Sequence, residues 1–104
     1  MFKLAYIDRT IGQSGRFTGE LRLVSERLTA GDLIRRRIEQ TEAEGPGRPL
    51  NGAVLTVEKV ATALENGQLL MLLDGRQILS VSEVVVLRDD SKLTFIWLTP
   101  LAGG

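Results

Sequence analysis

Lys92-Leu93-Thr94-Phe95-Ile96-Trp97-Leu98 decides how the rest of the chain is read. Leu93, Phe95 and Trp97 fall on one parity, and Thr94, Ile96 and Leu98 on the other. A strand with apolar groups on both parities belongs in the middle of a sheet, where each face meets other protein. Pro100 has no backbone N–H to give a ladder, so regular pairing is expected to stop there. Upstream, Arg88-Asp89-Asp90-Ser91 has turn composition, and Val84 to Leu87 and Arg76 to Leu79 read as short extended pieces, the latter at a sheet edge. Asp74-Gly75 is a strong two-residue hairpin signal, because both residues tolerate positive φ. Gln68 to Leu73 before it is an apolar strand with little alternation, as expected near a sheet centre.

The first half of the chain supplies a hairpin and two helices. Phe2, Leu4 and Tyr6 alternate with Lys3 and Ala5 in a period of two. Thr10 to Gly15 is turn-like, and Phe17, Gly19, Leu21 and Leu23 share one face of a second strand. Gly19 leaves a gap in that face, which suggests a bulge. Thr29 and Asp32 are spaced for a reciprocal N-terminal cap, and Leu33, Ile34 and Ile38 form one buried stripe of a helix. Arg35, Arg36 and Glu39 are expected to face water, with Glu39 as an i+4 mate for Arg35 and with Arg37 at the stripe's edge. Glu44-Gly45-Pro46-Gly47-Arg48-Pro49 ends that helix. Thr56 then caps a second helix with Val57, Val60, Ala61 and Leu64 on its inner side, closed by Asn66-Gly67. Strands at both ends of the chain with helices between them indicate an α+β fold with the helices on one sheet face.

The chain has 104 residues, enough for one domain, with 43% apolar and 25% charged residues. It contains neither cysteine nor histidine, which excludes disulfides, thiolate metal sites, cysteine nucleophiles and histidine bases. Thirteen basic residues balance thirteen acidic ones, so no electrostatic footprint of a nucleic-acid binder is present. No apolar run is long enough to span a membrane. Met1-Phe2-Lys3-Leu4 runs straight into a strand pattern without the features of a signal peptide. The expectation is a soluble, cytoplasmic, monomeric protein.

Catalytic constellations are scarce. The close acidic pairs, Asp89-Asp90 and Glu42-Glu44, lie in turn or helix-end contexts where a carboxylate stays solvated and does no acid–base work. The glycines at 45, 47 and 52 do not lead into a phosphate-binding lysine. Arg35-Arg36-Arg37 is a basic run that reads first as a solvated helix face and secondly as a contact for an acidic partner. No cofactor or metal site is read.

The feature above this background is Gly103-Gly104. With eleven glycines in 104 residues, such a pair at the end arises by chance in about one chain in ninety. Its setting adds meaning: a central strand, then Pro100, then a short segment carrying the carboxylate. Six residues from Thr99 reach at most about 20 Å when extended. A carboxylate must be activated before acyl transfer, and adenylation with ATP is the general route. Glycine has no Cβ to obstruct approach to the carbonyl carbon, while Pro100, Leu101 and Ala102 can supply binding energy away from the reacting atom.

The element order, the Asp74-Gly75 turn, the closing Leu93-to-Leu98 strand and the Leu101-Ala102-Gly103-Gly104 tail resemble the ubiquitin-like β-grasp superfamily. The resemblance covers nearly the whole chain except an insert from about Pro46 to Asn66. It implies a mixed sheet of four to five strands, a main helix on one face, a second helix before the third strand, and a domain over residues 1–99 followed by a flexible tail over 100–104. By the same matching, Leu70, Leu72 and Leu98 fall where ubiquitin has its exposed hydrophobic patch; the alternative is that they are core.

The resemblance implies a bacterial modifier, not itself an enzyme. An adenylating activating enzyme would charge Gly104, a conjugating enzyme would pass it to target lysines, and a deconjugating peptidase would remove it. Pro100-Leu101-Ala102 would be read by the activating enzyme; Pro100 stands where ubiquitin has arginine, which implies a dedicated partner. Lys3, Lys59 and Lys92 are the chain's lysines and the available acceptors for a second copy. Two alternatives stay open. One is a sulfur carrier ending in a thiocarboxylate, which the proline-containing tail also resembles. The other is a non-conjugated adaptor binding through its sheet.

Overall fold

Both sides of the closing strand are paired. The computed structural model describes residues 2–12, 17–44 and 56–98. Among these, the elements run β1 (Phe2–Thr10), β2 (Phe17–Leu23), β3 (Arg27–Thr29), α1 (Ala30–Glu44), α2 (Val57–Glu65), β4 (Leu69–Leu73), β5 (Arg76–Ile78), β6 (Val84–Val86) and β7 (Lys92–Trp97). The main sheet has five strands in the order β2-β1-β7-β4-β5, and β3 pairs with β6 in a separate two-stranded sheet. β7 runs parallel to β1, from Ala5↔Lys92 to Thr10↔Trp97, and antiparallel to β4, from Leu69↔Trp97 to Leu73↔Leu93. The fold is therefore α+β, with a mixed five-stranded sheet and two helices.

Each strand reads out its alternation. Leu4, Tyr6, Leu21, Leu23, Leu69, Met71, Leu73, Leu93, Phe95 and Trp97 point inward and are buried. Leu33 and Ile34 of α1 and Val60, Ala63 and Leu64 of α2 join them in one core cluster, which places both helices on the same sheet face. The Thr29 N–H donates to Asp32 Oδ2 at 3.0 Å and the Asp32 N–H to Thr29 Oγ1 at 3.1 Å, closing the expected cap of α1. Thr56 caps α2 by accepting from the Lys59 N–H. Asp74 and Gly75 both have positive φ, 53° and 82°, as a two-residue turn between Leu73 and Arg76 requires. The Asp74 carboxylate also accepts from Ser91 Oγ and the Lys92 N–H, tying this turn to the start of β7.

Several sequence expectations are corrected. β3 is an additional strand that pairs outside the main sheet, while within the main sheet α2 precedes the third strand in chain order, β4, as expected. The three residues of β3 are too few to show a period. No bulge occurs at Gly19, because the β1–β2 register runs unbroken from Phe2↔Leu23 to Asp8↔Phe17. A Cβ on Gly19 would lie 2.7 Å from the Tyr6 ring, so the missing side chain is space for that tyrosine. In α2 the buried small residue is Ala63, while Ala61 is half-buried. Arg35 pairs with Asp32 in place of Glu39, and Glu39 pairs with Arg36. The loop over 45–49 and Gly15 lie outside the described residues.

The largest departure is Arg37. It is 1% exposed and lies 3.6 Å from Asp8, itself 3% exposed, with its guanidinium 4.2 Å from the centre of the Tyr6 ring. Burial raises the Asp8 pKa to about 6, against the opposing pull of Arg37 and a smaller one from the Trp97 indole N–H. One carboxylate and one guanidinium are thus held together inside the core, where removing Arg37 leaves Asp8 buried without this counter-charge.

α1 also finishes the sheet edge. Gln40 Nε2 donates to the Glu20 carbonyl at 2.6 Å, its Oε1 accepts from the Arg22 N–H, and Arg36 Nε donates to the Arg22 carbonyl at 2.8 Å. These side chains occupy backbone groups that an edge strand would otherwise offer to another chain.

Three outcomes follow. Arg37→Met should lower stability by about 3–5 kcal/mol in urea unfolding, since it leaves a buried carboxylate unpaired; Asp8→Leu added to it should recover a large part of that loss. Gly19→Ala should destabilise by about 1–3 kcal/mol through its clash with Tyr6. The folded protein also holds the Asp8 proton more tightly than the unfolded chain does. Stability should therefore rise by on the order of 1 kcal/mol as pH falls from 7 to 5. Asp32 and Asp74, whose pKa values are lowered chiefly by hydrogen bonds from Thr29 and Lys92, act oppositely. Their contribution is present above the ordinary aspartate range and lost as pH drops below it, so the profile should turn over at about pH 4.

Candidate functional site

The face of the sheet opposite the helices follows from the same alternation. Across its middle run Thr18, Ile7, Thr94, Leu72 and Gln77; the next row holds Arg9, Ile96 and Leu70. Beyond it, the Leu98 N–H donates to the Gln68 carbonyl at 2.8 Å and the Ile11 N–H to the Trp97 carbonyl at 2.8 Å, bringing Ile11 and Leu98 alongside each other. Ile7, Leu70, Leu72 and Ile96 are half-buried, Leu98 is 39% exposed and Ile11 is 55% exposed. Neither described helix packs on this face. The result is an apolar strip that ends at the last described residue of the chain, Leu98, with Arg9 and Lys92 at its margins.

The three patch residues read from sequence are brought together here. Leu70 and Leu72 point away from the core that holds Leu69, Met71 and Leu73, and Leu98 follows one row on. The resemblance left out Ile7, Ile96 and Ile11. Their signal was present in strand parity, since Ile7 and Ile96 alternate with the buried Tyr6, Asp8, Phe95 and Trp97. Five further site residues, Pro100, Leu101, Ala102, Gly103 and Gly104, lie outside the described residues. Lys3, Lys59 and Lys92 are all exposed.

Other candidates are now placed. Asp90 is highly exposed and lies 3.7 Å from Arg88, while Glu42 and Glu44 belong to the last turns of α1. Asp8 is the carboxylate with a raised pKa among the described residues, and sequence reading missed it because an aspartate ending an alternating strand looks like a turn residue. Its partner lies inside the core, so this pair faces no solvent-accessible substrate. Among the described residues no cluster of three metal-ligating side chains occurs, and no helix is long and apolar enough to cross a membrane. No family model, curated protein or solved structure matches the chain.

The two faces of β4 and β7 should respond differently to truncation. Met71→Ala should cost about 2–5 kcal/mol, because it opens a cavity under the helices. Leu98→Ser should stay within about 0.5 kcal/mol, as exposed substitutions do. Thermal unfolding of the two variants checks the contrast.

Proposed function

We propose that this chain is a β-grasp, ubiquitin-like protein modifier. In this reading Gly104 is the acyl donor, adenylated by a cognate activating enzyme, passed to a conjugating enzyme and joined to lysines of target proteins. The protein would be cargo for those enzymes, contributing no catalytic residue of its own. The observation that carries the reading is the position of β7. It is the central strand, parallel to β1 and flanked by β4, and in sequence it is the last strand before the segment ending in Gly103-Gly104. The strand order and the single-sided helices support the β-grasp assignment. The apolar strip ending at Leu98 supports a protein-binding surface on the sheet.

The strip also favours a second reading, an adaptor that binds partners through its sheet and is never conjugated. A sulfur carrier remains the nearest chemical relative of the first reading, because both need a C-terminal adenylate.

The test is reconstitution with a candidate adenylating enzyme and conjugating enzyme from the native host. The modifier reading expects ATP-dependent adenylation, transfer to an enzyme cysteine, and a branched Gly104–lysine peptide by mass spectrometry, all abolished by deleting Gly104 with unfolding unchanged. A sulfur-for-oxygen mass shift at the terminus identifies a carrier. Full partner binding after removal of Gly103 and Gly104, lost on Leu72→Glu, identifies an adaptor.

A further inference from the structure

A second surface lies on the other side of the molecule, where the end of β2 and the start of β3 meet the first turns of α1. A groove of about 490 Å³ opens there, lined by four arginines, Arg22, Arg27, Arg35 and Arg36. Two acids share the lining, and each is already engaged: Asp32 with Arg35 at 3.2 Å and Glu39 with Arg36 at 3.9 Å. The guanidinium groups of Arg22 and Arg27 are exposed and form no ion pair with any described residue, so the groove carries an excess of about two positive charges. In a chain with no net charge, that excess is a local feature.

The groove is also apolar at its base and rim. Leu23 is buried beneath it, Leu28 is half-buried in its wall, and Val24 is 98% exposed at its edge. A valine so fully in water is a poor surface residue unless something covers it. Two of the arginines are positioned in advance: Arg36 by its bond to the Arg22 carbonyl, Arg35 by an Asp32 carboxylate that the helix cap holds in place. Gln40 and Arg36 occupy the β2 edge at Glu20 and Arg22, which closes that edge to an added strand. At those positions an occupant meets side chains in place of free backbone groups.

We propose that this groove binds an acidic segment of a partner protein, with carboxylates on Arg22 and Arg27 and an apolar side chain against Val24 and Leu28. Charge complementarity selects an anionic occupant, and the apolar floor selects a peptide over a free anion. Among the described residues the lining holds no aromatic side chain to stack a base, which disfavours single-stranded nucleic acid. The groove shares no residue with the sheet strip, so the proposal stands whether or not the chain is conjugated.

The test is a titration of the isotope-labelled full chain, followed by amide chemical shifts. The probes are a short acidic peptide with central leucines, its counterpart with lysine at every acidic position, and sodium phosphate. The acidic peptide is expected to shift Val24, Arg27, Leu28 and Arg35 while leaving Leu72 and Ile96 unmoved, with affinity falling as salt is raised. Arg22→Glu with Arg27→Glu should weaken binding roughly tenfold or more, on the scale of two lost charge contacts. Val24→Ser should weaken it without changing unfolding, and it keeps the test decisive should the charge reversal disturb the fold. Equal shifts from the lysine peptide, equal shifts from phosphate alone, shifts confined to the sheet strip, or no shift at the groove would each overturn the proposal.

Discussion

The parallel pairing of β1 with β7 joins the two ends of the chain, and everything between them is arranged around it. A parallel pair cannot be closed by a tight turn. The chain must leave β1 through the β2 hairpin, cross by α1 and α2, return antiparallel through β4, and only then insert β7 between β1 and β4. Contacts of such long sequence separation form only after much chain entropy has been lost, so they depend on apolar burial on the inner face. That burial is supplied by Phe95 and Trp97 against Leu33, Ile34, Val60 and Leu64.

One consequence is a division of labour between the two faces of the sheet. The inner face is filled by the helices and includes the buried Asp8–Arg37 pair, with the guanidinium over the Tyr6 ring. The outer face keeps Ile7, Leu70, Leu72, Ile96 and Leu98 beside one another because a single parity choice in each strand places them there. Function in the proposed reading uses the outer face and the segment after β7. The inner face provides the rigidity that holds the outer face in shape. The basic groove at the β2–β3 bend adds a third surface, built from the helix that also closes the β2 edge.

Much of this was legible from residues alone. The hairpin turn at Asp74-Gly75, the caps at Thr29 and Thr56, and the central placement of Lys92 to Trp97 each have a local cause that sequence displays. Leu70, Leu72 and Leu98 were placed by resemblance, and strand parity extends that strip to Ile7, Ile96 and Ile11. What escaped was of another kind. β3 exists because Arg27 to Thr29 meets Val84 to Val86 far along the chain, and three residues carry no periodicity. The Gly19 gap reads equally as a bulge or as room for a ring until Tyr6 is seen opposite. Helix spacing sets Arg37 at the edge of the Leu33, Ile34 and Ile38 stripe, but that it is fully buried becomes visible only with Asp8 and Tyr6 beside it.

Sequence by itself determined the longer secondary elements and their order, the capped helix starts and the inner and outer parity of each long strand, because these depend on neighbours within a few residues. Tertiary structure decided which strand lies beside which, that Asp8 and Arg37 meet in the core, that Gln40 and Arg36 close the β2 edge, and that Arg22 and Arg27 share a groove with Val24. Those outcomes depend on distant residues brought together by burial, and a charge's cost or benefit is set by the partner and the solvent it finally meets.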